Sequence, residues 1–384
     1  MDFTASGEHK TLAETVAAIA GRYGHEYYAN KARTRGKMDE LWMDLSRQGF
    51  TSVNLPEEFG GGGLGISELA IVCEELATAG CPNMMLVVSP AVCGPMIARF
   101  GSDEQRHRWL PGIASGATKM AFAITEADAG SNSHRLSTVA VREGPGWRLR
   151  GSKTYISGVD EAAAILVVAR TGIDPNSGRG RLSNFVVPCD SPGLRMVPIR
   201  VEMVIPETQF TLFFDDLELE EDWLLGTEGD GLKQLFFGLN PERIMSAALA
   251  NGIGRYALGK ASRYARERKV WDVPIGAHQG IAHPLAKAKV ELELARLMNQ
   301  KAAWLYDSGF EAGEAANMAK YAAAEAAMSC LDTAIQTHGG NGLASEYGLA
   351  DMWGLTRLYG IAPVSREMIL NFIAQHSLGL PRSY

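Results

Sequence analysis

The strongest constraint on how this chain can fold is a double switch in the spacing of its apolar residues. From about Thr11 to Gly116 they recur every three or four positions, as in "MDELWMDLSRQGF" and "ISELAIVCEELATAG", the spacing of amphipathic helices. From about Thr118 to Leu225 the segments become short, branched and aromatic, as in "KMAFAIT", "AAILVVAR" and "FTLFFDDLEL", with Gly, Pro, Asn or Asp between them. The helical period then returns in long runs such as "AKAKVELELARLMNQKAAWLYDSG". The pattern predicts an α+β fold: an N-terminal helical domain (1–117), a middle β-sandwich or barrel (118–225) and a C-terminal helical bundle (226–384).

Composition narrows the function classes. A chain of 384 residues that is 46% apolar and 21% charged has enough to bury for two or three cores. Its net charge of −7 disfavours nucleic-acid binding. Five scattered cysteines show no CxxC or metal-like spacing, so no metal site is expected and the thiols read as reduced and packed. The start, "MDFTASGEHKTLAETV", has no apolar signal core, and Pro90 and Gly94 break the richest apolar run, so a cytoplasmic protein without membrane spans is expected. The connector "LPEEFGGGGLG" lacks the ending of a phosphate loop and reads as a hinge or close-packing site. No GxGxxG follows a strand, which disfavours a nicotinamide enzyme of the usual fold.

In "GLNPERIMSAAL", Asn240 and Pro241 read as the N-cap and first residue of a helix. Glu242 then has two readings. It is a first-turn charge complementing the helix dipole, a contribution of ~0.3–1 kcal/mol, or it is a base that removes a proton from a substrate.

Four segments resemble the acyl-CoA dehydrogenase family: "AFAITEADAGSNS", "GSKTYISG", "YARERKVWDVPIGAHQ" and "AIQTHGGNG". The resemblance spans essentially the whole chain. It implies FAD between the β domain and the C-terminal helices, with Phe122, Ile124 and Thr125 along the isoalloxazine, Ser131 after the turn at Gly130 on the pyrophosphate, and Tyr155 and Ser157 beside the ring. It further implies that Arg268, Trp271 and Gln279, and also Gln336, Gly339 and Gly340, reach the cofactor of a neighbouring subunit. A homo-oligomer, a dimer of dimers, is thus expected. Ser365 matches a threonine that touches FAD, and Ser131, Asn240 and Arg243 fall along the CoA substrate.

In that family an acyl-CoA thioester loses its α-proton to a carboxylate while hydride passes to flavin N5, giving a trans-2-enoyl-CoA, and an electron-transfer flavoprotein takes the electrons. The usual base is a glutamate near the C-terminus, where this chain has Pro363 in "YGIAPVS". A minority, resembling isovaleryl-CoA and long-chain enzymes, place it before an arginine, which matches Glu242 as the base and implies that Arg243 lies behind the catalytic site, orienting the carboxylate or pairing with another acid. Two other readings compete on the same fold: a non-catalytic or flavin-poor partner subunit of a hetero-oligomer, and an oxidase or flavin monooxygenase.

Overall fold

The computed structural model describes residues 6–382. Part of the start on which the missing signal core was judged lies outside them. Six helices open the chain: α1 (Gly7–Ala20), α2 (Gly24–Thr34), α3 (Asp39–Ser46), α4 (Ile66–Thr78), α5 (Gly94–Phe100) and α6 (Asp103–Ala114), with a π-helical turn at Val87–Cys93. The glycine connector is a close-packing site. A Cβ on Gly61 would stand 2.3 Å from the Leu55 carbonyl oxygen, and one on Gly62 would stand 2.7 Å from that of Val53.

The middle unit contains β1 (Met120–Ala123), β2 (Val139–Glu143), β3 (Gly146–Ser157), β4 (Ala164–Ile173), β5 (Gly180–Pro188), β6 (Leu194–Ile199), β7 (Gln209–Leu219) and β8 (Leu224–Leu225). They form one sheet in the order β6-β7-β3-β2-β4-β5-β8, with β1 parallel to β4. Trp147 on β3 and Phe185 on β5 meet edge to face at 5.5 Å although two strands separate theirs, so the sheet curls around its own core. The continuous apolar run of β4 follows from its place between two cores. Ile165, Val167 and Ala169 face the inside of the curl, while Ala164, Leu166 and Val168 pack against Met96, Ile97 and Leu235 from the helical units.

The last unit holds α7 (Gly231–Glu267), a hairpin of β9 (Lys269–Val270) and β10 (Val273–Pro274), α8 (Gln279–Asp307), α9 (Gly313–His338), α10 (Trp353–Leu358) and α11 (Arg366–Phe372). Here the structure corrects the sequence reading: α7 begins at Gly231, so Asn240 is not an N-cap and Pro241 lies inside the helix. Proline there has no N–H for the Phe237 carbonyl, a loss that ordinarily breaks a helix. The Tyr306 hydroxyl of α8 donates to that carbonyl at 3.1 Å and fills the gap. Helix α7 also approaches α4 closely at Gly252, and Arg255 joins Glu74 and Glu75 across the crossing at 2.9 and 2.5 Å. No described helix is long and apolar enough to cross a membrane.

Candidate functional site

Because α7 starts eleven residues before it, Glu242 cannot serve the helix dipole. Its carboxyl is half-buried and sits among the charges of Arg243 and Lys320 and beside the buried thiol of Cys93. Burial pushes it up to about 7, against the opposing pull of Arg243 and Lys320. Water still reaches the side chain although the protein has removed most of its hydration. A carboxyl in that setting suits a base working near neutrality.

Arg243, 8% exposed, donates from Nη1 to the Leu239 carbonyl at 3.2 Å and to Asn240 Oδ1 at 3.1 Å. Its Nε is buried with no partner among the described residues. Asn240 also borders a cavity of about 420 Å³ lined by Asn54, Leu64, Phe236, Tyr306 and Phe310.

The β-domain motifs are built on a buried ion pair that sequence reading passed over. Lys153, fully buried on β3, donates to the Ile124 carbonyl and to Glu126 Oε1, both at 2.9 Å. Glu126 accepts from the Ser137 N–H and hydroxyl, both at 2.6 Å, and from the Thr138 N–H at 3.0 Å. Burial alone would raise the Glu126 carboxyl, but Lys153 and these donors outweigh it and bring it down to about 2. The pair therefore fixes both ends of the loop from Ile124 to Thr138, which carries Thr125, Gly130 and Ser131.

Phe122 is buried on β1, Ile124 and Thr125 are half-buried just beyond it, and Gly130 and Ser131 are exposed. Tyr155 has φ of +55° at a bulge in the β3–β7 pairing, which turns its ring outward to 63% exposure. The Ser157 hydroxyl donates to Gln209 Oε1 at 3.0 Å. Ser365 is half-buried and its Oγ accepts from the Met368 N–H at 3.3 Å, capping α11.

The remaining expected cofactor residues gather elsewhere. Trp271 and Asp272 form the two-residue turn between β9 and β10 with φ of +50° and +66°, and Trp271 is 84% exposed at its tip. Arg268, Gln279, Gln336, Gly339 and Gly340 are exposed on the same end of the helical unit. The rings of Tyr264 and His338 stack there at 4.3 Å, and Asn341 Nδ2 donates to the Tyr264 hydroxyl at 3.1 Å. Tyr264 stands 22 residues beyond Glu242 on α7, about 33 Å at roughly 1.5 Å per residue. The structure thus brings Glu242, Arg243 and Asn240 together on one stretch of α7, and sets the "ARERK" and "HGGNG" residues far from them.

A dinucleotide fits the residues present. A Cβ at Gly130, Gly339 or Gly340 would meet nothing within 4 Å, so their open backbone serves no packing of the chain itself. Tyr155 and Trp271 offer flat faces that the chain leaves uncovered.

A helix–sheet–helix scaffold with these features suits a flavin-dependent dehydrogenase. Family models describe residues 6–117, 121–217 and 229–378 as the acyl-CoA dehydrogenase N-terminal, middle and C-terminal domains. The chain is 56% identical over 384 residues to the acyl-CoA dehydrogenase FadE12 of Mycobacterium tuberculosis, covering 100% of this chain and 99% of that one. Among solved structures, a glutaryl-coenzyme A dehydrogenase with glutaryl-CoA superposes with a TM-score of 0.93 at 30% identity, covering 100% of this chain and 98% of that one. The FAD complex of PigA superposes with a TM-score of 0.92 at 26% identity, covering 99% and 100%. The chain belongs to the acyl-CoA dehydrogenase family and is an FAD-dependent oxidoreductase.

Proposed function

We propose that this protein dehydrogenates an acyl-CoA thioester between its α and β carbons, giving a trans-2-enoyl-CoA, with Glu242 as the base that takes the α-proton. The observation that carries the reading is the setting of Glu242: accessible, poorly hydrated, and raised by burial to about 7. A carboxylate so placed is a stronger base than one in water, and Arg243 and Lys320 keep it ionisable.

Phe122, Ile124, Thr125, Gly130, Ser131, Tyr155, Ser157 and Ser365 would hold FAD, which when bound supplies the hydride acceptor. Arg268, Trp271, Gln279, Gln336, Gly339 and Gly340 would complete the cofactor site of another copy, since they gather beyond the C-terminal end of α7, too far from Glu242 to serve the site around it. Asn240, Arg243 and Ser131 would align the CoA arm. The thioester oxygen needs a donor that Pro363 cannot provide. Ala362 spends its N–H on the Leu358 carbonyl at 2.9 Å, which makes Val364 the candidate.

A groove of about 680 Å³ between α8, α9 and α11, lined by Leu294, Met298, Tyr321 and Leu370, supports a dimer of dimers. So do Leu294 and Leu370, at 62% and 48% exposure. An electron-transfer flavoprotein as acceptor, a cytoplasmic setting and a role in fatty acid β-oxidation complete the proposal.

The test is anaerobic titration of the purified flavoprotein with acyl-CoAs of graded length and branching. At least one should bleach the flavin rapidly, and Glu242→Gln should slow that step by more than about a hundredfold. Pro363 supports a second reading, a partner subunit whose chemistry is done by another chain. Purification of the lone chain as an active, fully flavinated oligomer excludes it.

A further inference from the structure

Helix α9 presents a stripe of small residues to α7, with Ala316, Ala319, Ala323 and Ala327 all buried. Small side chains let the two axes come close, and one long side chain interrupts the stripe. Lys320 is 1% exposed, and its Nζ donates to the Val364 carbonyl in a short hydrogen bond. Val364 follows Pro363 in the turn at residues 360–365, which leads into α11. A lysine so buried needs a stated purpose, because desolvating an ammonium is unfavourable unless something nearby compensates. One backbone carbonyl is only part of that compensation.

The remaining part is electrostatic. Lys320 faces Glu242 and Arg243 on α7, Glu325 on its own helix and Glu367 on α11. Glu242 in turn faces Arg243, Lys320 and the Cys93 thiol of the π-helical turn. Lys320 is therefore the one group described here that both touches the Pro363 turn and opposes the charge of Glu242.

We propose that Lys320 is a positioning residue for Glu242: it fastens the 360–365 turn to the floor of the site through the Val364 carbonyl, and its charge joins that of Arg243 in keeping the carboxylate ionised. The clamp orients Val364, the donor left once Pro363 and Ala362 are set aside. The charge offsets a burial that would otherwise hold Glu242 protonated, and its own partial loss of basicity, to about 8, still leaves it largely cationic at neutrality. The inference rests on the reading of Glu242 as the base.

Two measurements on the flavinated protein test it. Amide hydrogen exchange, without substrate, should show peptides covering residues 359–366 exchanging at least about tenfold faster in Lys320→Met while α9 stays protected. Stopped-flow flavin reduction against pH should show the midpoint moving up by about one unit in Lys320→Met. Lys320→Arg should keep both wild-type values. Should the Met variant fail to fold, Lys320→Gln removes the charge while retaining a donor, and the raised midpoint is then read alone. Unchanged exchange together with an unchanged midpoint overturns the proposal, as does a rate loss uniform across pH. If no acyl-CoA reduces the wild-type flavin, the function proposed above falls, and the exchange comparison still decides the clamp.

Discussion

Replacing Lys153 with methionine isolates the ion pair beneath the loop from Ile124 to Thr138. The side chains match in length, so the change removes the charge and both of its hydrogen bonds while leaving little cavity. Glu126 would then be a buried carboxylate facing only the donors of Ser137 and Thr138. Breaking one partner of a buried pair costs about 3–5 kcal/mol.

The pH dependence of that loss follows from the depressed Glu126 carboxyl. Its ordinary value of 4.5 falls to about 2 in the folded chain, a linked contribution of at most about 3 kcal/mol at about 1.4 kcal/mol per unit, partly offset by the burial that pulls the Lys153 ammonium down to about 8. The sign is that of a lowered carboxylate: the contribution is complete above 4.5 and disappears as the pH falls through about 2. The deficit of Lys153→Met should therefore be largest near pH 7, a thermal midpoint lower by more than about 5 °C, and should shrink steadily towards about pH 3. Calorimetry across that range, with flavin fluorescence reporting cofactor release, follows both. Lys153→Met combined with Glu126→Gln should recover most of the loss, because no uncompensated charge remains. A deficit below about 1 kcal/mol near neutrality, or one that is flat with pH, would refute the account.

Four further outcomes are expected. Burial and the charge of Glu161 raise the Glu207 carboxyl from 4.5 to about 7, so its stability contribution is complete below 4.5 and is lost as the pH climbs to about 7. Glu207→Gln, which still accepts from the Met84 N–H, should stabilise the protein by up to about 3 kcal/mol near pH 8 and negligibly near pH 4, read from thermal unfolding at both. With Glu242 raised to about 7, flavin reduction should climb by about tenfold from roughly pH 6 to a plateau above about pH 8; stopped-flow absorbance checks this, and a flat profile argues against Glu242 as base. Gly252→Ala would place a Cβ 2.4 Å from the Glu74 carbonyl oxygen and 2.5 Å from Ala77 Cβ, which should cost about 1–3 kcal/mol in urea unfolding. Gly259→Ala on the same helix meets nothing within 4 Å and should gain about 0.5–1 kcal/mol.

Much of the architecture was legible because apolar spacing is a local property. The run "AAILVVAR" read as a strand, and it forms β4, which the fold then places between two cores. The start of α7 was misread because Asn240–Pro241 carries a strong capping signal, and the tyrosine that neutralises the proline comes from α8, sixty-five residues away in sequence. Lys153 and Glu126 stand inside the quoted motifs "GSKTYISG" and "TEADAGSNS", but β3 is mostly half-buried or exposed and also carries Arg148 and Arg150, so nothing local marked Lys153 as the buried charge. Lys320 in "ANMAKYAAAE" gave none, since a lone lysine among alanines reads as solvated and its partner at Val364 is set by the tertiary fold. The outward turn of Tyr155 depends on a bulge against β7, which the sequence of β3 does not encode by itself.

The substitute hydrogen bond at Pro241 restores from outside the one rung that the proline removes from the helix that carries the carboxylate. Residues 231–237 and 241–267 of α7 share continuity of path, while the ladder between them is completed by a phenol rooted beside the 307–312 turn. A ligand or neighbouring subunit pressing on that turn would move the rung, and with it the pitch of the backbone one residue before Glu242. The backbone that aims the Glu242 side chain is thereby tied to the surface at residues 307–312.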